Sequence, residues 1–249
     1  MSNARPTGKA EADTTPVDPE LLPLAEYTQQ VPRGGSNSQF AYEAILGALL
    51  NRVLSPGQRL AELPVSRALK IGRTPVREAL LRLEAEGYLR LEPHAGMVVA
   101  GNSMESFSEL YEIREVLESL AARLAARYAR SEDILTLEQI LTEAAAATEA
   151  RDTARLRKLN TRFHEVIHAC SRNNHLRHLL RQIINQLRLS PISTYDAPGR
   201  AEAALAEHRA IVAAIAANDE ERAAALVSEH VRHDKEARLA QLVAAELAR

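Results

Sequence analysis

Seven of the eight histidines fall between residues 164 and 233: His164, His168, His175, His178, His208, His230 and His233. Imidazole is a ligand for zinc, nickel, copper and iron, and three neutral imidazoles leave positions open for water or a ligand oxygen. Asn160 and His164 are spaced one helical turn apart, and so are His164 and His168. His208 and His230 fall in later helical stretches, and His233 follows His230 closely enough to act with it. Antiparallel helices of a bundle can gather such groups into one cavity. Spacing does not select the set: His164 with His168, or His230 with His233, would serve as metal pairs, and all could equally be packing or exposed residues. Nothing beside them activates a nucleophile or supplies a positioned general base, so the pattern argues against an enzyme.

A second chemistry lies at Arg73-Thr74-Pro75-Val76-Arg77-Glu78-Ala79-Leu80. Pro75 fits only the first turn of a helix, where its missing N–H breaks no helical bond, and Gly72 stands at the N-cap. Val76, Ala79, Leu80 and Leu83 recur at helical spacing and mark a buried stripe. Arg73 and Arg77 lie beside each other off that stripe. Two guanidiniums at the N-terminal end of an exposed helix suit phosphate oxygens and guanine edges.

The elements that must position these groups fall into three stretches. Residues 1–36 are rich in Pro, Thr, Gly and Ser and read as a disordered tail, with one apolar island at Leu21-Leu22-Pro23-Leu24 that either docks on a partner or stays within an unstructured arm. Residues 37–101 read as three helices and a hairpin. A stripe from Ala41 to Leu50 ends at Ser55-Pro56-Gly57, a short helix runs from Glu62 to Leu69, and the Arg73 helix follows. Strand-like runs at Tyr88–Leu91 and Met97–Ala100 flank a turn at Pro93–Gly96. Residues 102–249 read as a bundle of about six helices, near 104–129, 133–149, 153–171, 174–189, 200–217 and 219–247. The fold class is therefore mainly α, a winged helix-turn-helix followed by an all-helical domain.

Composition agrees. The net charge is −2, but residues 37–100 carry eight Lys/Arg against six Asp/Glu, so the presumed DNA module is mildly basic. The single cysteine, Cys170, excludes an internal disulfide framework. No apolar run reaches the length of a membrane span and the N-terminus has no signal-peptide core, which predicts a cytoplasmic protein with no membrane partner.

In order and residue type, Pro56-Gly57-Gln58-Arg59-Leu60, Glu62, Arg73 to Leu80, Leu83-Glu84-Ala85-Glu86-Gly87 and the wing Gly96 closely resemble the GntR family of bacterial transcription regulators. Three departures stand out. Gly72 occupies a position where the family usually has Ser or Thr, so a capping hydroxyl and its phosphate contact are missing. Lys70 stands where a glycine is preferred, and Leu63 where some members place a DNA-contacting arginine. The resemblance implies a homodimer on a near-palindromic double-stranded operator. Arg73, Thr74 and Arg77 would read bases, while Arg59, Arg67, Gly72 and the wing at His94 and Gly96 would meet the backbone.

The segments Leu110–Glu118, Leu159–His164, Glu207–Ile211 and Glu229-His230 are similar to the FCD effector domain of the FadR subfamily. Metal-binding members use an acidic residue four before a histidine and two further histidines on later helices, a pattern that falls here on Asn160, His164, His208 and His230. Asn160 departs from it by lacking the charge of a carboxylate. The implied cofactor is a divalent metal, zinc before nickel or another ion. The implied ligand is a small organic acid held by Arg114, with Asn185 and Arg188 as further candidates. The resulting expectation is a regulator, a repressor released by its ligand. The alternatives are a sensor whose effector is the metal itself and, remotely, a helical metalloenzyme with an appended DNA module.

Overall fold

The computed structural model describes residues 17–101, 103–190, 192 and 194–247, the side chains of 245 and 246 excepted. The chain divides between Gly101 and Asn102 into two compact units.

In the first unit, α2 (Asn37–Leu50) is capped by Ser36, whose hydroxyl accepts from the Gln39 N–H. Helix α3 (Glu62–Leu69) turns into α4 (Arg73–Ala85), which starts behind Gly72 as its N-cap. The turn closes through the Ser66 hydroxyl, which donates to the Ile71 carbonyl at 2.6 Å. It requires Lys70 at φ 54°, a left-handed conformation that costs a lysine roughly 1 kcal/mol and a glycine nothing. Strands β1 (Leu89–Glu92) and β2 (Gly96–Val99) pair antiparallel with Leu89 opposite Val99 and Glu92 opposite Gly96. At the tip Ala95 bonds back to Glu92, and His94 takes the positive φ, 65°, that such a turn demands. Val76, Ala79, Leu80 and Leu83 are all buried, as the helical spacing predicts.

The expectation of a disordered tail through residue 36 fails for its described part; residues 1–16 lie outside the described residues. Pro19–Leu21 and Thr28–Gln30 are 3-10 turns flanking α1 (Leu22–Tyr27). The apolar island docks on its own unit: Leu21 and Leu24 are buried, and α1 lies against α2 and α3. Tyr27 lies over Gly47, where a Cβ would come within 2.6 Å of the phenolic oxygen, and accepts from the Asn51 amide at 3.0 Å. Gln58 ties the far end down by donating to the Glu20 carbonyl. The Pro-rich composition concealed this segment because only two side chains, three residues apart, carry its burial.

The second unit contains, among the described residues, six helices: α5 (Met104–Tyr128), α6 (Ser131–Glu149), α7 (Thr153–Cys170), α8 (Asn174–Arg188), α9 (Arg200–Ala216) and α10 (Glu220–Leu247). The expected breaks are real and have local causes. Ser103, Asp152 and Asn173 cap α5, α7 and α8 through their side chains, and Asn218 adopts φ 56° between α9 and α10. Helix α6 starts two residues earlier than expected. Helix α5 packs against α7, α8, α9 and α10, around a core that includes Phe107, Tyr111, Phe163, Ile211 and Val231.

Replacing Leu24 with Asp puts a charge where the chain is fully buried, and should cost the first unit about 3 kcal/mol or more. Hydrogen exchange resolved by element should show lost protection in α1, α2 and α3 with the second unit unchanged. Protection unaltered in those helices would mean that α1 does not brace them.

Candidate functional site

The first unit presents a charged surface at the start of α4. Arg73, Thr74 and Gly72 are exposed there, and Arg77 follows one turn on. Arg77 forks onto Glu62 of α3, with Nε to Oε1 at 2.7 Å and Nη2 to Oε2 at 2.9 Å. Arg73 lies 3.9 Å from the same carboxylate. The hydrogen bond from Arg77 holds the Glu62 carboxyl below the usual carboxylate range. Arg59 and His94 are exposed, Gly96 is half-buried at the wing, and Arg67 is half-buried on α3. Sequence reasoning missed Glu62 as a bracing group. Its signal was present, since Glu62 opens the helix that precedes the arginine pair.

The second unit gathers histidines in its interior. His164 on α7, His208 on α9 and His230 on α10 are each buried, and one ligand atom from each lies within 4.8 Å of the others. The Nε2 atoms of His208 and His230 face each other at 3.4 Å. His208 stacks on Phe163 with ring centroids 4.0 Å apart. His164 Nε2 is buried and meets no hydrogen-bond partner among the described residues.

Carboxylates set the outer edges of these rings. His164 Nδ1 is 3.2 Å from Glu118 Oε2, and His230 Nδ1 is 2.6 Å from Glu207 Oε2. A carboxylate accepting from Nδ1–H leaves the lone pair on Nε2, so both rings turn a coordinating nitrogen inward. Burial, reinforced by His230 and His164, pushes His208 well below the ordinary histidine value; burial also lowers His164 against the opposing pull of Glu118. Both are therefore neutral at neutral pH, the form a metal requires.

A second group, Glu118, His164 and His168, is equally close. Its members already satisfy one another: His168 Nε2 and His164 Nδ1 both reach Glu118 Oε2, at 2.8 and 3.2 Å. His164 commits Nδ1 to Glu118, so its Nε2, unpaired among the described residues, is the nitrogen left for a site with His208 and His230, and that donor set fits a divalent ion. His168 supports Glu118, and His233, partly exposed, supports Glu207 at 2.8 Å.

The remaining candidates sort unevenly. Asn160 is half-buried and its Oδ1 accepts from the Tyr195 hydroxyl at 3.0 Å. Arg114 is buried, as expected of a pocket residue, but its charge is already shared between Glu118 at 3.2 Å and Asp234 at 3.5 Å. Asn185 is half-buried, and Arg188 is exposed on α8, unlike the buried arginines. Four groups at the site were not anticipated: Glu118, Arg200, Glu207 and Asp234. Burial alone would favour the acid form of Asp234, yet His230, Arg114 and Arg200 outweigh it and hold that carboxyl at about 2. Glu118 follows Arg114 by four residues and Asp234 follows His230 by four, a spacing that sequence could have flagged. Arg200 gave no such signal.

Residues 37–99 match the bacterial regulatory proteins of the gntR family, and residues 109–233 match the FCD domain. The HTH-type transcriptional regulator YdhC of Bacillus subtilis is 32% identical over 197 residues, spanning 78% of this chain and 88% of that protein. The Nta operon transcriptional regulator of Aminobacter aminovorans is 30% identical, spanning 71% of this chain and 82% of its own. The solved structure of E. coli McbR/YncC aligns with a TM-score of 0.69 and 25% identity, over 84% of this chain and all of that one (100%).

Replacing Glu118 with Gln removes the charge that offsets buried Arg114 and should destabilise the second unit by about 3–5 kcal/mol. Urea unfolding followed by far-UV circular dichroism reads it directly. A cost below about 1 kcal/mol would show that the network does not depend on that charge.

Proposed function

Since the chain belongs to the gntR family of bacterial regulatory proteins and carries an FCD domain, we propose that it is a ligand-responsive, DNA-binding transcriptional repressor acting as a homodimer. The DNA-binding part rests on one observation: the exposed N-terminal end of α4, where Arg73, Thr74 and Arg77 stand clear of the core. In a helix-turn-helix this end enters the major groove. Glu62 holds the Arg77 fork extended in free protein, and phosphates or a guanine edge would replace it on binding. Arg59, Arg67 and the wing around His94 would meet the backbone.

The ligand-responsive part rests on the buried imidazole triad with its unpaired His164 nitrogen. His164, His208 and His230 would hold a divalent ion, zinc before nickel, with Asn160 as the candidate fourth ligand. When bound, that ion would supply an electrophilic anchor for one oxygen of a small organic acid. Glu118 and Glu207 fix the ring tautomers, and the apolar wall at Phe163 limits water. Burial keeps His208 unprotonated and ready to coordinate.

Dimerisation is supported by an apolar stripe on α5. Ile113, Val116 and Leu120 are 51%, 68% and 37% exposed. Side chains of this kind in a contiguous patch are normally covered by a partner, and a second copy of the chain is the occupant this reading requires. Ligand can weaken operator binding only through its differential affinity for two dimer arrangements. Repression is the simpler outcome of occupying a promoter.

Two measurements test the reading. Arg77→Ala should weaken operator binding about 10- to 100-fold and relax preference at one base position; an unchanged binding profile in a competition assay removes Arg77 from the reading set. Replacing both His208 and His230 with Ala should abolish stoichiometric metal, read by elemental emission, while the protein stays helical and dimeric. Metal retained in that variant would transfer the site to Glu118, His164 and His168. Operator binding titrated against metal alone and against acids then separates an acid-responsive regulator from a metal sensor.

A further inference from the structure

Arg200 is the first residue of α9 and is buried, 7% exposed. Among the described residues its polar contacts all run through one nitrogen. Nη2 lies 2.9 Å from Glu207 Oε2, 3.0 Å from Asp234 Oδ1 and 3.4 Å from His230 Nδ1. Nε and Nη1 are equally buried and meet no acceptor among the described residues. Arg114 differs: it has spread its donors, Nε onto Glu118 and Nη1 onto Asp234. Of the two arginines buried among the described residues, Arg200 is the one with N–H groups still to be satisfied.

Leaving a buried guanidinium N–H without an acceptor incurs the desolvation cost of the charged group with no return. An oxygen entering beside Arg200 would supply the compensating acceptor. A second orphan lies close by. His164 Nε2 also lacks a partner among the described residues; its ring centroid lies 5.3 Å from that of His230, whose Nδ1 is 3.4 Å from the paired Nη2 of Arg200, so one imidazole neighbours both residues. An unpaired cationic donor and an unpaired lone pair around one imidazole describe a site for a cation and an anion together.

Charge narrows the anion. Arg114 and Arg200 face the three carboxylates of Glu118, Glu207 and Asp234, which leaves this cluster one negative charge in excess. Alone it would repel an acid. A divalent ion on the histidines reverses the sign and leaves one positive charge, which a single carboxylate neutralises and a dianion overshoots.

We propose that Arg200, rather than Arg114, is the specificity-determining cation of this pocket, and that it takes an oxygen of a small monocarboxylate. The assignment rests on the metal-and-acid reading above. Arg114 is then a positioning residue that holds Glu118 and Asp234.

The test is isothermal titration of full-length, metal-loaded protein with acetate, glycolate, lactate and pyruvate, with malonate and succinate as dianions and lactamide as a neutral analogue. At least one monocarboxylate should bind, more tightly than either dianion, and lactamide should not. Arg200→Lys keeps the charge and a donor for Glu207 and Asp234 but loses Nε and Nη1. It should bind that monocarboxylate at least tenfold more weakly with metal content unchanged, Arg200→Gln should do the same, and Arg114→Lys should retain affinity. Undiminished affinity in Arg200→Lys, preference for a dianion, or no binding of any probe to metal-loaded protein would overturn the assignment. Wild-type protein that takes up no metal would overturn the metal reading instead. If such protein still bound acid through Arg200, the arginine assignment would survive it.

Discussion

Glu118 is a carboxylate with 1% of its side chain exposed, and the helical unit is organised around the need to keep it ionised there. Burying a charge costs several kcal/mol unless it is paired and hydrogen-bonded. Arg114, His164 and His168 supply that compensation from α5 and α7. Arg114 then reaches Asp234 on α10, Asp234 reaches Arg200 on α9, and Arg200 reaches Glu207 beside His208. One continuous polar network therefore pins four helices. An apolar core of the same volume would be no less stable, so stability alone does not account for it. The network does what apolar packing cannot, fixing which nitrogen of His164 and of His230 carries the proton and pointing the other inward.

The first unit uses the same residue types under the opposite solvation. Glu62 and Arg77 form a bidentate pair, but the Arg77 side chain is 58% exposed, where water and salt screen the attraction. A pair held so weakly can open, and the guanidinium can exchange a carboxylate for a phosphate or a base edge at little net cost. Arg114 could not do this without stranding Glu118. Burial thus separates arginines that serve the scaffold from arginines free to meet a partner. Arg200 lies between the two, buried but with two of its three nitrogens unpaired among the described residues.

The legible parts of this chain were those fixed by local chemistry. Helices α3 and α4 could be bounded because Gly72, Pro75 and the Val76–Leu83 stripe act within a few residues. The bundle's breaks were readable because Asp152 and Asn173 cap the helices that follow them. The triad of His164, His208 and His230 needed the family pattern, since spacing alone left His168 and His233 as rivals. In the structure His168 and His233 reach the outer carboxylates Glu118 and Glu207, while the Nε2 atoms of His208 and His230 face each other and His164 Nε2 is unpaired among the described residues. What stayed hidden depends on contacts between distant segments. The Tyr27 ring over Gly47 has no signature in either neighbourhood. Nor does Arg200, whose partners lie on α10 and further along α9. Arg188, a candidate from sequence, sits on the exposed side of its helix.

On the proposed reading, α5 is the element through which the pocket acts. Its inner face carries Arg114 and Glu118, which hold the charges and one imidazole of the site. Its opposite face carries Ile113, Val116 and Leu120, the stripe assigned to the second copy. Residues 114 and 118 are one turn apart, and 113, 116 and 120 fall about half a turn away around the helix. Any ligand that redistributes charge between Arg114, Asp234 and Arg200 changes the forces on a single rigid 25-residue helix. That helix cannot shift on its pocket side while its dimer side stays in register. A small displacement at the pocket therefore becomes a change in how two copies pack, which is the differential contact that ligand-dependent control of half-site spacing requires.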